Sequence, residues 1–122
     1  MKKSILFLLL SSLLIFSCKK NQLGGTSTIS GKVVHHSKAI PNATIFSKFG
    51  EKDFPGSDTT KYDDKVRADN EGNYTIKCYK GNYYLYGYGK DLAISPPLVV
   101  GGVYVKVRKN EDVKADVAVT ED

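Results

Sequence analysis

Most of the chain, from Ile29 onward, alternates apolar and polar residues with a period of two, and this pattern restricts the fold more than any other feature. In one segment Tyr74, Ile76 and Cys78 alternate with mainly polar residues. Successive side chains of a β-strand point to opposite faces, so the alternation predicts strands with one buried face. After Cys18 no segment keeps the apolar spacing of an amphipathic helix for three turns. The sequence therefore predicts an all-β domain.

Turn-forming residues divide this part of the chain into about seven short strands, a number and spacing typical of a β-sandwich or barrel. Residues 50–65 are predicted to form an exposed polar loop, residues 69–73 a turn, and Lys80-Gly81-Asn82 a tight hairpin turn. Gly72 and Gly81 stand where tight turns require a positive φ. The expected core consists of Val33, Ala43, Ile45, Tyr74, Ile76, Cys78, Tyr83, Leu85, Val105 and Val117.

The first residues have the composition of a secretory signal peptide. Met1-Lys2-Lys3 supplies a basic start, and an apolar run with two serines extends from Ile5 to Phe16. This run of roughly twelve residues fits the hydrophobic region of a signal peptide, whereas a helix that crosses a bilayer needs ~20 residues. A membrane anchor or a buried helix is the alternative for this segment.

The residues that end this run, Ile15-Phe16-Ser17-Cys18, resemble a bacterial lipobox. The resemblance implies cleavage before Cys18 and lipid on its thiol and its amine, palmitate included, which together anchor a protein durably. The predicted domains are a signal peptide at 1–17, a lipidated N-terminus and tether at 18–27, and a β-sandwich at 28–122. With Cys18 lipidated, Cys78 is expected to be a buried free thiol. A disulfide between the two cysteines is the alternative.

The charge of the chain does not favour a nucleic acid as partner. The formal net charge is +5, of which Lys2 and Lys3 belong to the predicted signal peptide, and the remaining excess is spread along the chain. Lys19-Lys20 lies beside the predicted lipid, where it can contact anionic headgroups. We expect lipid anchoring to the outer membrane, on its periplasmic side or at the cell surface, with the membrane as one partner.

Three motifs resemble carboxypeptidase regulatory-like domains. They are Gly31-Lys32-Val33 followed by residues 40–45, then Asp69-Asn70-Glu71-Gly72-Asn73-Tyr74-Thr75-Ile76, and finally Gly81-Asn82-Tyr83-Tyr84-Leu85 with Gly87-Tyr88. The resemblance covers most of residues 28–90 and implies a seven-stranded Greek-key β-sandwich of the prealbumin type. Such domains are mostly non-catalytic accessory or binding modules, so the resemblance argues against an enzyme. The loop at 50–65 and the Pro96-Pro97 stretch lie outside the family's pattern.

The tyrosines of one predicted strand suggest a binding surface. If Tyr83 and Leu85 face the core, alternation places Tyr84, Tyr86 and Tyr88 together on the outer face. A row of exposed tyrosines offers flat apolar rings and hydroxyls to sugar rings or to a protein partner. We therefore predict these three as ligand-binding residues. The alternative is that they are ordinary cross-strand aromatics, or that the 50–65 loop buries them.

Other constellations do not predict chemistry. His35 and His36 are adjacent, and adjacent strand residues point to opposite faces, so we expect two exposed turn histidines rather than a metal site. The acidic residues of the loops lack the spacing and glycine of an EF-hand, which favours solvated carboxylates over calcium ligands. A glycine-x-serine-x-glycine nucleophile motif is absent from the sequence. We predict no catalytic residue, no metal and no cofactor.

The sequence thus predicts a non-catalytic cell-envelope lipoprotein that binds a glycan or an envelope protein through an exposed aromatic sheet face. The alternative is a structural subunit or spacer of an envelope assembly that pairs with its partner through a sheet edge. A metal-dependent enzyme is the third and least favoured hypothesis.

Overall fold

The computed structural model describes residues 23–122 and consists of two packed β-sheets of five strands each. The predicted all-β sandwich is confirmed. Besides one 3₁₀ turn at Thr59–Lys61, the regular elements are β1 (Leu23–His35), β2 (Lys38–Ala39), β3 (Thr44–Phe49), β4 (Asp64–Arg67), β5 (Asn73–Cys78), β6 (Gly81–Lys90), β7 (Leu98–Val107), β8 (Asp112–Lys114), β9 (Val117–Ala118) and β10 (Thr120–Glu121). In the part of the chain that the structure describes, no helix is long and apolar enough to cross a bilayer.

The first sheet is built around β1. Strand β5 pairs antiparallel with one edge of β1, while β8 and β9 pair parallel with it. Strand β2 forms a short hairpin with the end of β1. Because β1 begins at Leu23, its first five residues fall inside the stretch predicted as a tether at 18–27. The pairing register with β5 shifts between Leu23 and Ser27, so the regular part of the strand begins near the predicted domain boundary.

The second sheet has the strand order β10-β7-β6-β3-β4. Its centre is the antiparallel pair β6 and β7, which is in register from Gly81↔Val107 to Lys90↔Leu98. The outer face of this sheet carries the even-numbered tyrosines of β6, and its inner face packs against the first sheet. Because β6 pairs with β3 on one side and with β7 on the other, its row of tyrosines stands on a strand that has no free edge.

The predicted hairpin at Lys80-Gly81-Asn82 is wrong. Strand β5 pairs with β1 in the first sheet, whereas β6 pairs with β3 and β7 in the second, so the chain crosses between the sheets at this point. The turn itself is present, and Gly81 and Gly72 both have positive φ, as expected. Local turn chemistry shows that the chain bends but does not specify which strands pair afterwards.

The core matches the prediction closely. Every predicted core residue is less than a tenth exposed, and Ile29, Ile40, Ala68, Val99, Val107 and Val119 join them. Burial raises the pKa of the Cys78 thiol, so the buried thiol predicted at this position stays protonated at neutral pH. The alternation of period two therefore identified the buried face of the strands correctly.

The closing segment forms three short strands instead of the one predicted, and together with β2 this raises the number of strands from seven to ten. It forms β8 and β9 against β1 and then crosses to pair β10 with β7. Along this path the backbone of the closing segment lies directly against the backbone of β1 and of β7. A Cβ on Gly31 would lie 2.0 Å from the carbonyl oxygen of Ala115, and one on Gly101 would lie 2.1 Å from that of Ala118. Glycine at these two positions lets the closing segment approach both sheets.

Candidate functional site

The most extensive cluster of aromatic side chains covers the outer face of the second sheet, and we call it the aromatic surface. Strand alternation, which places Tyr83 and Leu85 in the core, turns the intervening tyrosines of β6 outward. The aromatic surface consists of Phe46, Phe54, Tyr62, Tyr84, Tyr86, Tyr88 and Tyr104. The structure thus brings all three predicted binding residues to one face.

The loop at 50–65 covers part of this face. Phe54 lies over Tyr84 and Tyr86, with ring centroids 5.9 and 5.4 Å apart. Tyr62 stacks on Tyr86 at 5.8 Å with an interplanar angle of 20° and also contacts Phe46 at 6.0 Å. The Tyr62 hydroxyl donates a 2.8 Å hydrogen bond to the carbonyl of Gly56. The loop is therefore packed against the sheet by its own aromatic residues.

This packing corrects the predicted exposure of the tyrosines. Tyr86 is only 5 % exposed, Tyr84 is half-buried and Tyr88 is 43 % exposed. Tyr86 is buried by the aromatic residues of the loop, as the alternative hypothesis anticipated. It therefore forms the floor of the surface, while its two neighbours on β6 remain accessible to different degrees.

Besides Tyr88, the outer part of the aromatic surface includes two residues that were not predicted from the sequence. Phe54 is 52 % exposed and Tyr104 is 37 % exposed. Tyr104 pairs across the sheet with Tyr84, and its hydroxyl donates a 2.6 Å hydrogen bond to Oδ1 of Asn82. Two aromatic residues in the otherwise polar 50–65 loop, Phe54 and Tyr62, were the signal that could have indicated its packing.

Three hydroxyls of the aromatic surface, those of Tyr62, Tyr84 and Tyr86, are protonated at neutral pH. Burial, together with the neighbouring Tyr84 and Tyr86, raises the pKa of Tyr62 to about 12. Burial also raises the pKa of Tyr84, with a further contribution from Asp53, and that of Tyr86, with one from Asp122. A protonated hydroxyl can donate as well as accept hydrogen bonds.

A second cluster lies where β1 meets β2, and here the prediction is wrong. His35 was expected to be an exposed turn residue, but it is 3 % exposed. Its Nδ1 lies 2.7 Å from Oδ2 of Asp91, which is also buried, and its Nε2 lies 3.1 Å from Oε2 of Glu121. Lys38 Nζ donates a 2.6 Å hydrogen bond to the other oxygen of Asp91. The partners are 56 and 86 residues from His35 in the chain, a separation that gives no local signal.

Charges in this second cluster are mutually stabilised. The hydrogen bond to Asp91 raises the pKa of His35, burial opposes this effect, and the hydrogen bond to Glu121 adds to it. The hydrogen bonds from Lys38 and His35 hold the pKa of Asp91 well below its ordinary range. Glu121 has its pKa lowered by a backbone hydrogen bond and by His35. The cluster is therefore an ordered polar network at one end of the sandwich.

The loop carboxylates considered as calcium ligands serve as backbone acceptors. Asp69 accepts hydrogen bonds from the amides of Glu71 and Asn73, and Asp58 accepts one from the amide of Thr60. The pKa of each of these two carboxylates is lowered by those hydrogen bonds. Their role in the turns is thus accounted for by local hydrogen bonding.

Comparison with known proteins gives little further information. No model of a known protein family matches the chain, and no curated protein matches it. A crystal structure of a DUF3823 family protein from Parabacteroides merdae resembles the chain with a TM-score of 0.47 and 14 % sequence identity. The match covers 77 % of this chain and 45 % of that one, so this chain spans less than half the length of that protein. The lipoprotein and the carboxypeptidase regulatory-like resemblances stay predictions.

Proposed function

We propose that the protein is a non-catalytic binding module of the cell envelope that holds a glycan on its aromatic surface. The observation that carries this proposal is the group of exposed rings around a buried aromatic floor. Phe54, Tyr88 and Tyr104 are each more than a third exposed, and Tyr86 lies buried between them. Large apolar side chains that remain exposed in one region of a folded domain mark interaction sites more often than scattered ones do.

The chemistry of the surface favours a sugar over a purely apolar ligand. A sugar ring has one face of C–H groups and an equatorial rim of hydroxyls, and a tyrosine matches both with a flat apolar ring and a hydroxyl. A tyrosine hydroxyl is neutral at pH 7, and burial raises the pKa of Tyr84 further, so the hydroxyl of this half-buried residue can donate to a sugar oxygen. An envelope protein that docks on the same rings is the competing ligand class.

The surface is held in place before any ligand binds. Tyr84, Tyr86 and Tyr88 belong to a strand that is paired on both sides, with β3 and with β7. Phe54 is held by ring contacts to Tyr84 and Tyr86. A preorganised site loses less conformational entropy on binding, which favours affinity for a ligand that is itself flexible.

The proposed lipid anchor would hold the domain close to a membrane. With Cys18 as the lipidated N-terminus, only residues 18–22 separate the anchor from β1. A fully extended segment of that length spans at most about 17 Å. The domain would therefore stay next to the lipid surface of the outer membrane, so a polysaccharide of the cell envelope is the glycan to test first.

The test is a binding measurement with purified cell-envelope polysaccharides. The full chain in detergent is compared with a triple variant, Phe54→Ser, Tyr88→Ser and Tyr104→Ser, and with a control, Leu92→Ser. Leu92 is 86 % exposed and lies outside the aromatic surface, so the control removes an apolar side chain that is more accessible than the three replaced rings. We expect the triple variant to lose at least tenfold in affinity and the control to bind as the wild type does. Equal binding by all three, or by none, contradicts the proposal.

A second function rests on the sheet edges at one side of the sandwich. In residues 23–122, β4 pairs only with β3 and β5 only with β1, so each sheet has a free edge there. A groove of about 300 Å³ between these edges includes Val66 and Ile76. A partner strand added to either edge would make the protein a structural subunit. A stable complex in detergent extracts that Val66→Lys disrupts, with no loss on replacement of the exposed aromatic residues, would favour this function.

A further inference from the structure

The end of the sandwich where β1, β2 and β10 meet brings three metal-binding side chains together. The ligand atoms of His35, His36 and Glu121 all lie within 4.8 Å of one another. Two of them, Nε2 of His35 and Oε2 of Glu121, are 3.1 Å apart. Donor atoms at ~2.0–2.2 Å from a tetrahedral zinc ion are separated by about 3.3 Å, so this pair already has the spacing of two ligands.

The adjacency of the two histidines is explained by the backbone. Strand β1 ends at His35, which pairs with Lys38, so His36 and Ser37 form the two-residue loop of a hairpin. His36 has a φ of +50° and Ser37 a φ of +67°. Hairpin loops with two positive φ values normally use asparagine and glycine. The left-handed backbone turns His36 beside His35, with ring centroids 4.3 Å apart, instead of onto the opposite face.

The unusual residues at this turn point to a function. A non-glycine residue in the left-handed region is strained, and strained backbone is found preferentially at active sites, ligand-binding sites and switch regions. The strain here has the result of placing a second imidazole at the edge of the cluster. His36 is exposed, so its ring can rotate toward Nε2 of His35 and the carboxylate of Glu121.

Asp91 binds the ring nitrogen of His35 that does not face Glu121. Its buried carboxylate lies 2.7 Å from Nδ1 of His35 and is itself held by Lys38 and by the amide of Ala93. A hydrogen bond from Nδ1–H to a carboxylate leaves the lone pair of Nε2 free to bind a metal. Carboxylates behind metal-binding histidines commonly serve this purpose. Here Nε2 lies 3.1 Å from Oε2 of Glu121, one of the two other prospective ligands.

We infer that His35, His36 and Glu121 bind a divalent transition-metal ion of the zinc class, with Asp91 orienting His35. Imidazole nitrogens with one carboxylate oxygen suit zinc and neighbouring transition metals better than calcium or magnesium. Three protein ligands leave a fourth position for water or for a donor atom of a partner. The inference is independent of the proposed glycan function, because none of these residues belongs to the aromatic surface.

The competing explanation is a purely structural network. In it His35 is protonated and bridges the carboxylates of Asp91 and Glu121, and His36 has no role. The two explanations differ in what His36 contributes, since only a metal site needs its imidazole. Both explanations use Glu121, but only the metal site makes Zn²⁺ affinity depend on its carboxylate. Glu121 is exposed, so its replacement tests ligation without removing a core residue.

The test is a titration of the full chain in detergent with Zn²⁺, after treatment with a chelator, by isothermal calorimetry. The same samples are titrated with Co²⁺ and followed by visible absorption. The ligand variants are His36→Asn, which keeps a residue that tolerates the left-handed turn, and Glu121→Gln. The matched control is Glu51→Gln, an exposed glutamate in the 50–65 loop.

We expect one Zn²⁺ per chain, bound at least tenfold more weakly by each ligand variant and unchanged by the control. Circular dichroism should show the same fold for all four proteins. Absence of a one-to-one Zn²⁺ complex in the wild type would overturn the inference. So would a complex whose affinity is the same in His36→Asn and Glu121→Gln, because the ion would then be held elsewhere.

Discussion

Tyr62 should be the residue that keeps the 50–65 loop on the aromatic surface, and replacing it with alanine should release the loop. The ring of Tyr62 is stacked on Tyr86 and contacts Phe46, and its hydroxyl is bonded to the carbonyl of Gly56. Tyr62 therefore contacts the sheet through its ring and another part of the loop through its hydroxyl. Without it, the cover of Tyr86 is reduced to the contact with Phe54.

The expected loss of stability follows from these contacts. Aromatic pairs contribute roughly 0.5–1.5 kcal/mol each beyond simple burial, and the hydroxyl hydrogen bond contributes about 1 kcal/mol. The sum for Tyr62→Ala is ~2–4 kcal/mol, and partial exposure of the ring places the expected value near ~2 kcal/mol. Tyr62→Phe keeps both ring contacts, so it should lose only about 1 kcal/mol.

Urea unfolding followed by circular dichroism measures both variants, and amide hydrogen exchange in residues 51–63 reports on the loop itself. The control is Tyr104→Ala, a tyrosine of the same face whose hydroxyl bonds to Asn82, for which we expect a loss of about 1 kcal/mol. A Tyr62→Ala loss below about 0.5 kcal/mol, with unchanged exchange in the loop, would refute the assignment of Tyr62 as its fastening residue.

Two further predictions concern residues that stabilise the fold. Gly101→Ala should destabilise the protein by ~1–3 kcal/mol or more, because its Cβ would lie 2.1 Å from the carbonyl oxygen of Ala118; an unchanged thermal midpoint would contradict the tight crossing. The pKa of Asp69 is lowered from 3.8 by backbone hydrogen bonds, so its contribution is present above pH 3.8 and is lost as the pH falls through the lower native value. The urea midpoint should therefore drop in acid less steeply for Asp69→Asn than for the wild type, and parallel curves would show that Asp69 does not contribute.

Much of the fold could be predicted because strand alternation is a local property. Whether Tyr83 or Tyr84 faces the core is decided by neighbours in the chain, and the structure agrees. The pairing of strands is not local. The hairpin expected at Lys80-Gly81-Asn82 is a crossing between sheets, since β5 finds its partner in β1 rather than in β6. The division of the last strand into three likewise depends on which sheet each piece reaches.

The candidate sites could likewise be predicted only where they depend on residues that are close in the sequence. The aromatic row on β6 was predicted from alternation, but its cover by Phe54 and Tyr62 depends on how a loop folds back onto the sheet. The surroundings of His35 come from Asp91 and Glu121, distant in sequence. Adjacent residues point to opposite faces only within a strand. His35 and His36 do not point apart, because β1 ends at His35.

The most direct test of the proposed function is to map which side chains a bound polysaccharide protects. Hydroxyl-radical footprinting of the full chain, with and without the purified envelope polysaccharide, measures the oxidation of each exposed aromatic or aliphatic residue. We predict protection of Phe54, Tyr88 and Tyr104, with Leu92 oxidised equally in both samples. Protection confined to residues outside the aromatic surface, or no protection at saturating polysaccharide, would contradict the account.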